Sequence, residues 1–171
     1  MLLIFLLAER PWAFLKDLGM TLGDHRLGLL LLAIGVPVAI AFGLIGSCDK
    51  ALRRYYPLSK AACRSLKALV IFEAAYLFLY YSSWEFFYRG VLFFPLLSAF
   101  GLIPALTVQT IISTLHHWGH PRSEILGSLV GGIALGLVAY GTGSFLYGIF
   151  LHALTGISTD TLICRREYRK A

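Results

Sequence analysis

Stretches without charge, long enough to cross a lipid bilayer, recur along this chain. Residues 27–48 contain no charged side chain, and residues 91–115 and 125–159 are also free of formal charge. At 1.5 Å per residue, about 20 apolar residues in a helix span the ~30 Å hydrocarbon core. The chain is 58% hydrophobic and only 14% charged, against about 25% charged in soluble domains. We therefore predict an all-α, polytopic transmembrane helical bundle of about five or six helices, with residues 1–171 forming a single membrane-embedded domain.

The distribution of basic residues predicts an orientation in the membrane. Most of them fall in two blocks that flank the charge-poor region: Lys50, Arg53, Arg54, Lys60, Arg64 and Lys67, then Arg165, Arg166, Arg169 and Lys170. Short basic loops beside membrane spans mark the cytoplasmic side. We therefore expect the loop at 50–67 and the C-terminal tail to be cytoplasmic, with an even number of crossings between them. The net charge of +6 therefore comes from basic loops beside the lipid bilayer, which is the expected partner. Nucleic acid is not expected as a partner.

Turn-forming residues divide the apolar regions into helices. The first span is predicted at 27–47, and further helices near 68–83, 84–99, 103–118, 122–140 and 144–162. Gly and Pro residues supply the breaks, and Pro121 should end the helix that carries His116 and His117. Segment 84–99 is either a full span or a partial, re-entrant helix. Residues 1–26 form an interfacial lead-in, whose apolar start at 1–8 indicates a clipped first helix or a misplaced start codon rather than a signal peptide.

Cysteines and glycines add two structural expectations. Cys48, Cys63 and Cys164 show no CxxC spacing, so we predict free thiols in a reducing compartment. The glycines at 127, 131, 132 and 136 have the spacing of a close helix–helix contact, which would bring the last helix near the other polar groups.

Three polar motifs interrupt the apolar region. An ionisable group in a bilayer costs roughly 2.5–3.5 kcal/mol on insertion scales, so it usually has a partner or a function. Glu85 and Arg89 lie four residues apart and can pair on one helix face, either for structure or for chemistry. The second motif is a cluster of imidazoles with a carboxylate, formed by His116, His117, His120 and Glu124. The third motif is a single histidine in the last predicted helix, His152. Carboxylates with imidazoles indicate proton transfer or metal binding, although a hydrated turn or a hydrogen-bonded core histidine also fits each motif alone.

The order of these motifs resembles the CAAX protease and bacteriocin-processing family (CPBP, also called Abi) of intramembrane proteases. That family carries EExxxRG, FxxxH and HxxxN on successive membrane helices. Here WEFFYRG at 84–90, STLHHWGHPRSE at 113–124 and LHALTGISTD at 151–160 are similar to these motifs, within a family-like core at about 68–162. Trp84, Ser113 and Gly156 stand where the family has its first glutamate, its phenylalanine and its asparagine. Glu124 completes an HxxxxPxxE pattern that is familiar among bacterial members.

The resemblance implies a membrane-embedded endopeptidase of the bacterial inner (plasma) membrane that cuts a membrane-associated peptide or protein. Glu85, aided by Glu124, would deprotonate a water, Arg89 would hold the carboxylate, and His117 and His152 would position the water or stabilise the oxyanion. Relatives are described both as zinc metalloproteases and as metal-free enzymes, so His117, His152 and Glu85 are also the expected zinc ligands if a metal is present. The alternatives are a non-proteolytic bacteriocin-immunity or membrane scaffold protein, and a proton-coupled carrier. Substrate identity and oligomeric state are not predicted.

Overall fold

The structure, a computed structural model, describes residues 11–168, and all of its regular elements there are helical. Seven helices form the bundle: α1 Pro11–Asp17, α2 His25–Cys48, α3 Lys50–Tyr55, α4 Leu66–Phe100, α5 Leu102–Leu115, α6 Arg122–Thr142 and α7 Leu146–Tyr168. A short 3₁₀ helix, Lys60–Arg64, precedes α4. By length and composition α2, α4, α6 and α7 can each cross a membrane, whereas α5 is shorter. The predicted all-α membrane bundle is confirmed, and residues 1–10 of the predicted lead-in lie outside the described residues.

Helix α4 is one continuous element, so the predicted break between 68–83 and 84–99 is wrong. Two π-helical stretches, Tyr76–Tyr81 and Phe86–Phe93, widen it, and the Ser82 N–H donates to the carbonyl of Leu77 five residues earlier. Pro95 comes just after the second wide stretch, where the hydrogen-bond register changes and a missing N–H is tolerated. The expected break does occur at Gly101, whose φ of 81° ends the helix.

Helices α2 and α7 run parallel and touch through a row of glycines. A Cβ at Gly28 would lie 2.1 Å from the Tyr147 ring, one at Gly35 would lie 2.8 Å from Leu151, and one at Gly43 would lie 2.5 Å from Ser158. Only hydrogen fits at these three positions, so the two backbones approach closely. This contact fixes the position of α7, which carries His152.

The glycines of α6 have a different role from the predicted one. A Cβ at Gly132 would lie 2.9 Å from Thr110 of α5, and one at Gly136 would lie 2.5 Å from Leu106 of the same helix. A Cβ at Gly127 or Gly131 would meet nothing within 4 Å among the described residues. The predicted close contact therefore exists, but it joins α6 to α5 rather than to the last helix.

The cysteine prediction is wrong for two of the three residues. Cys63 and Cys164 form a disulfide, with their Cα atoms 4.9 Å apart, while Cys48 is free and exposed. The 3₁₀ helix Lys60–Arg64 packs against the end of α7, and this tertiary contact brings together residues 101 positions apart. Local spacing cannot indicate such a pair.

The histidine-rich segment forms a turn rather than the end of a helix. Helix α5 stops at Leu115, and the N–H groups of His117 and Trp118 donate to carbonyls three residues earlier. Gly119, with a φ of 95°, then redirects the chain toward Pro121 and α6. The prediction had placed His116 and His117 within this helix. The structure places them just beyond its end, in the turn.

Candidate active site

The centre of the bundle holds a buried carboxylate between two nitrogen donors. Glu85 of α4 is fully buried, and Arg89 one turn later donates from Nη1 to its Oε1 at 3.1 Å. His152 of α7 contacts the same oxygen through Nδ1 at 2.7 Å. Because a carboxylate only accepts, Nδ1 of His152 carries the hydrogen of this contact. The structure thus brings together three of the sequence-predicted site residues.

The second oxygen of Glu85 faces a position without a side chain. Oε2 is buried and has no hydrogen-bond partner among the described residues. A Cβ at Gly148 of α7 would lie 3.0 Å from it. This is closer than an ordinary carbon–oxygen contact, so glycine at 148 keeps a side chain from pressing on Oε2.

Trp84 lies among the three imidazoles of the expected site. Its ring centroid is 4.9 Å from that of His117, 5.1 Å from that of His116 and 6.4 Å from that of His152. Ring separations of this size are direct aromatic contact. The indole therefore packs against the imidazoles of the expected site, at the position where the resemblance leads one to expect a glutamate.

His117 is buried and held in one tautomer. Its Nδ1–H donates to the Ser113 carbonyl at 2.8 Å, which leaves Nε2 as the acceptor. Burial lowers the pKa of His117, because the charged imidazolium would lose its hydration. The ring is therefore neutral at pH 7 and can accept a proton or a hydrogen bond.

Glu124 belongs to a second polar cluster. Its Oε1 accepts hydrogen bonds from the Tyr56 hydroxyl at 2.6 Å and from His120 Nδ1 at 2.9 Å. Burial and the negative charge of Glu124 raise the pKa of Tyr56, so its hydroxyl keeps the proton that it donates. Tyr56 lies in the basic loop, and this contact ties the loop to the start of α6. The structure does not place Glu124 against Glu85, although the ring of His120 is 5.5 Å from that of His117.

The predicted zinc ligands do not converge on one point. Among the described residues no three His, Cys, Asp or Glu side chains are grouped so that they could hold a metal ion. His152 and Glu85 bond each other, whereas His117 packs its ring against the Trp84 indole and bonds the Ser113 carbonyl. A catalytic zinc needs three protein ligands around one point, so this donor set does not fit it and zinc stays an untested prediction.

Comparison with known proteins gives one family match. The family model described as type II CAAX prenyl endopeptidase Rce1-like matches residues 67–158, which is more than half of the chain. The chain belongs to the Rce1-like family. The matched region contains Glu85, Arg89, His117 and His152. No curated protein and no solved structure matches the chain.

Membership of the Rce1-like family supports a CAAX-type intramembrane protease as the general class, and the lipid bilayer and membrane-associated substrates as partners. This family member departs from the motif at Gly156, and the structure supplies a physical reason. A Cβ there would lie 1.8 Å from the hydroxyl of Tyr81, whose ring is 5.0 Å from that of His152. Tyr81 thus occupies the space of a side chain at 156.

Sequence reasoning missed several aromatic partners of the site. The Tyr88 hydroxyl lies 2.6 Å from Nδ1 of His116, and Tyr56 holds Glu124. The aromatic run from Tyr76 to Phe94 fits an interfacial belt as well as a core, so composition alone does not indicate which ring meets a histidine. The one signal in the sequence was that Tyr88 follows Trp84 by four residues, which places both rings on the same face of a helix.

Proposed function

We propose that this chain is an intramembrane endopeptidase in which Glu85 activates a water molecule. The observation that carries the proposal is the asymmetric environment of this carboxylate. Oε1 is held by Arg89 and His152, whereas Oε2 is buried, unpartnered and directed at Gly148. A general base needs one oxygen fixed and the other free to reach the proton it removes.

The proposed reaction is hydrolysis of a peptide bond. A water molecule beside Oε2 transfers a proton to Glu85 while its oxygen bonds to the substrate carbonyl carbon. Glu85 then passes this proton to the leaving nitrogen as the C–N bond breaks, which yields a carboxylate and an amine. His152 keeps Glu85 oriented through Nδ1, and the Nε2 atoms of His117 and His152 can contact the water or substrate. No step uses a metal, since the donor set does not fit one.

The substrate class follows from the family and the setting. The family name refers to prenylated C-terminal CAAX sequences, so a prenylated peptide and a membrane-anchored peptide are the substrates to test first. The buried site would receive an extended segment of chain at membrane depth. Glu124 is held by Tyr56 and His120, whose ring is near that of His117. It would therefore help to position His117 and would not serve as a second base.

The test compares variants in liposomes containing the purified protein and a set of prenylated and membrane-anchored peptides. We expect cleavage, detected as new fragments by mass spectrometry, and a rate at least about 100-fold lower in Glu85→Gln, which keeps shape but cannot act as a base. His152→Gln should show a comparable loss, whereas Asp24→Asn, an exposed acid-to-amide control, should cleave normally. Equal rates in wild type and Glu85→Gln exclude this mechanism. Metal analysis of the same preparation tests zinc.

One observation favours a second function. The Trp84 indole packs 4.9 Å from the His117 ring and 6.4 Å from the His152 ring, where the motif has its first glutamate, which would suit a bacteriocin-immunity or membrane scaffold protein that has lost proteolysis. In that case the wild type cuts no peptide of the set. Trp84→Glu, which restores the first glutamate of the motif, would then produce cleavage.

A further inference from the structure

Two carboxyl groups outside the proposed active site meet between the helices that carry it. Glu73 of α4 and Asp160 of α7 are each only 6% exposed. Leu69, one turn before Glu73, packs in one cluster with Cys164, one turn beyond Asp160, and Tyr81 of α4 reaches Gly156 of α7, so the two antiparallel helices bring Glu73 opposite Asp160. Glu73 lies three turns before Glu85 on α4, and Asp160 lies two turns beyond His152 on α7. The pair is therefore separate from the Glu85–His152 contact and lies toward the disulfide end of α7.

Nothing in the described part of the chain satisfies the Glu73 carboxyl group. Both of its oxygens are buried and have no hydrogen-bond partner there. Two facing carboxylates offer four acceptor oxygens and no donor, so they cannot hydrogen-bond each other unless a proton lies between them. Two bare negative charges in a helical membrane core would also repel each other strongly. The observed packing therefore requires a positive charge between the oxygens.

The surroundings supply tyrosine hydroxyl groups and one lysine ammonium. The ionisable groups that influence the pair from neighbouring elements are Tyr76 and Tyr81 of α4, Lys60 of the 3₁₀ helix and Glu124 of α6. The Lys60 ammonium donates to the carbonyls of Arg53 and Tyr56. Tyrosine and carboxylate oxygens are hard donors, which suit a proton or a hard metal cation rather than a soft one.

We propose that Glu73 and Asp160 form a cation site, in which one proton or one hard metal cation is shared by the two carboxyl groups and joins α4 to α7. The site needs no peptide substrate, so it stands whether or not the chain is a protease. It matters to the proposed active site because the same two helices bring Glu85 to His152. Filling the site stabilises the folded bundle, since the unfolded chain does not hold the two oxygens together.

The test is thermal unfolding of the purified protein in detergent. One arm lowers the pH without metal ions, and the other adds Ca²⁺, Mg²⁺ or Na⁺ at constant pH and ionic strength. Above half-saturation, each tenfold rise in the bound cation should raise the Tm of the wild type by about 3–5 °C relative to Glu73→Gln. Glu73→Gln provides its own amide donor to Asp160, so it should fold and lose this dependence. A response to acid alone identifies a shared proton, and a response to a metal identifies that ion.

Two controls make the result decisive. Asp160→Asn should lose the dependence in the same way as Glu73→Gln, because an amide on either side replaces the cation. Asp24→Asn, an exposed change that keeps the cap of α2, should retain it. The infrared band of a protonated carboxylic acid, if present in the wild type and absent from both pair variants, would identify the proton without any unfolding. The proposal is overturned if neither arm shifts the wild type relative to Glu73→Gln and that band does not differ.

Discussion

Gly148→Ala tests where the reactive water lies. The new Cβ would lie 3.0 Å from Glu85 Oε2, about 0.5 Å closer than a relaxed contact of roughly 3.5 Å. Relieving such overlap in a packed core costs typically 1–3 kcal/mol, whereas alanine in a helix gains about 0.5–1 kcal/mol over glycine. The net loss of stability should therefore be at most about 2.5 kcal/mol, which corresponds to a fall in Tm of no more than roughly 5–10 °C.

Activity should respond far more than stability. The methyl group would press directly on Oε2, the oxygen proposed to take the proton from water, so we expect peptide cleavage to fall at least about 100-fold in folded protein. The assay pairs cleavage in liposomes with thermal unfolding of the same sample. Gly131→Ala is the matched control, because its Cβ would meet nothing within 4 Å and both rate and stability should persist. A folded Gly148→Ala protein with full activity would refute a water at Oε2.

Two further predictions concern His117 and the α2–α7 contact. Because burial lowers the pKa of His117 below its unfolded value of about 6.5, the stability it contributes is complete above that pH and declines as the pH falls through it. Unfolding curves from about pH 8 to about pH 5 should show this decline in the wild type and less of it in His117→Gln; identical curves would contradict the assignment. Gly43→Val, whose Cβ would lie 2.5 Å from Ser158, should lower the unfolding free energy by about 1–3 kcal/mol, and an unchanged Tm would show that α2 and α7 do not meet there.

Charge and hydropathy were enough to predict the class of fold. The spans predicted at 27–47, 122–140 and 144–162 correspond to α2, α6 and α7. Long apolar segments in lipid form helices because their backbone N–H and C=O groups must hydrogen-bond within the segment. The interior of α4 was not predictable in this way. Pro95 follows directly after a π-helical stretch, so the helix continues past it without a break. No local sequence pattern indicates that change of hydrogen-bond register.

The pairings within the site were predictable only in part. The Glu85–Arg89 pair follows from helical spacing, and motif order suggested that His152 would meet it. The role of Trp84 depends on how α5 and α7 pack around it, and the Glu73–Asp160 contact joins residues far apart in sequence. Such contacts depend on tertiary packing, so neither the periodicity nor the composition of the sequence can predict them.

The 4.9 Å between the Cα atoms of Cys63 and Cys164 has a consequence for membrane thickness. We infer that both residues lie at one face of a membrane, in which case the helices between them cross an even number of times. Since α4, α6 and α7 account for three crossings, the 14-residue α5 is the fourth. At 1.5 Å per residue it is about 21 Å long, well short of the ~30 Å hydrocarbon layer. A turn at one of its ends would then lie below the headgroups or draw the lipid surface inward. If this is the turn that carries the imidazoles, water has a short route to them from that face.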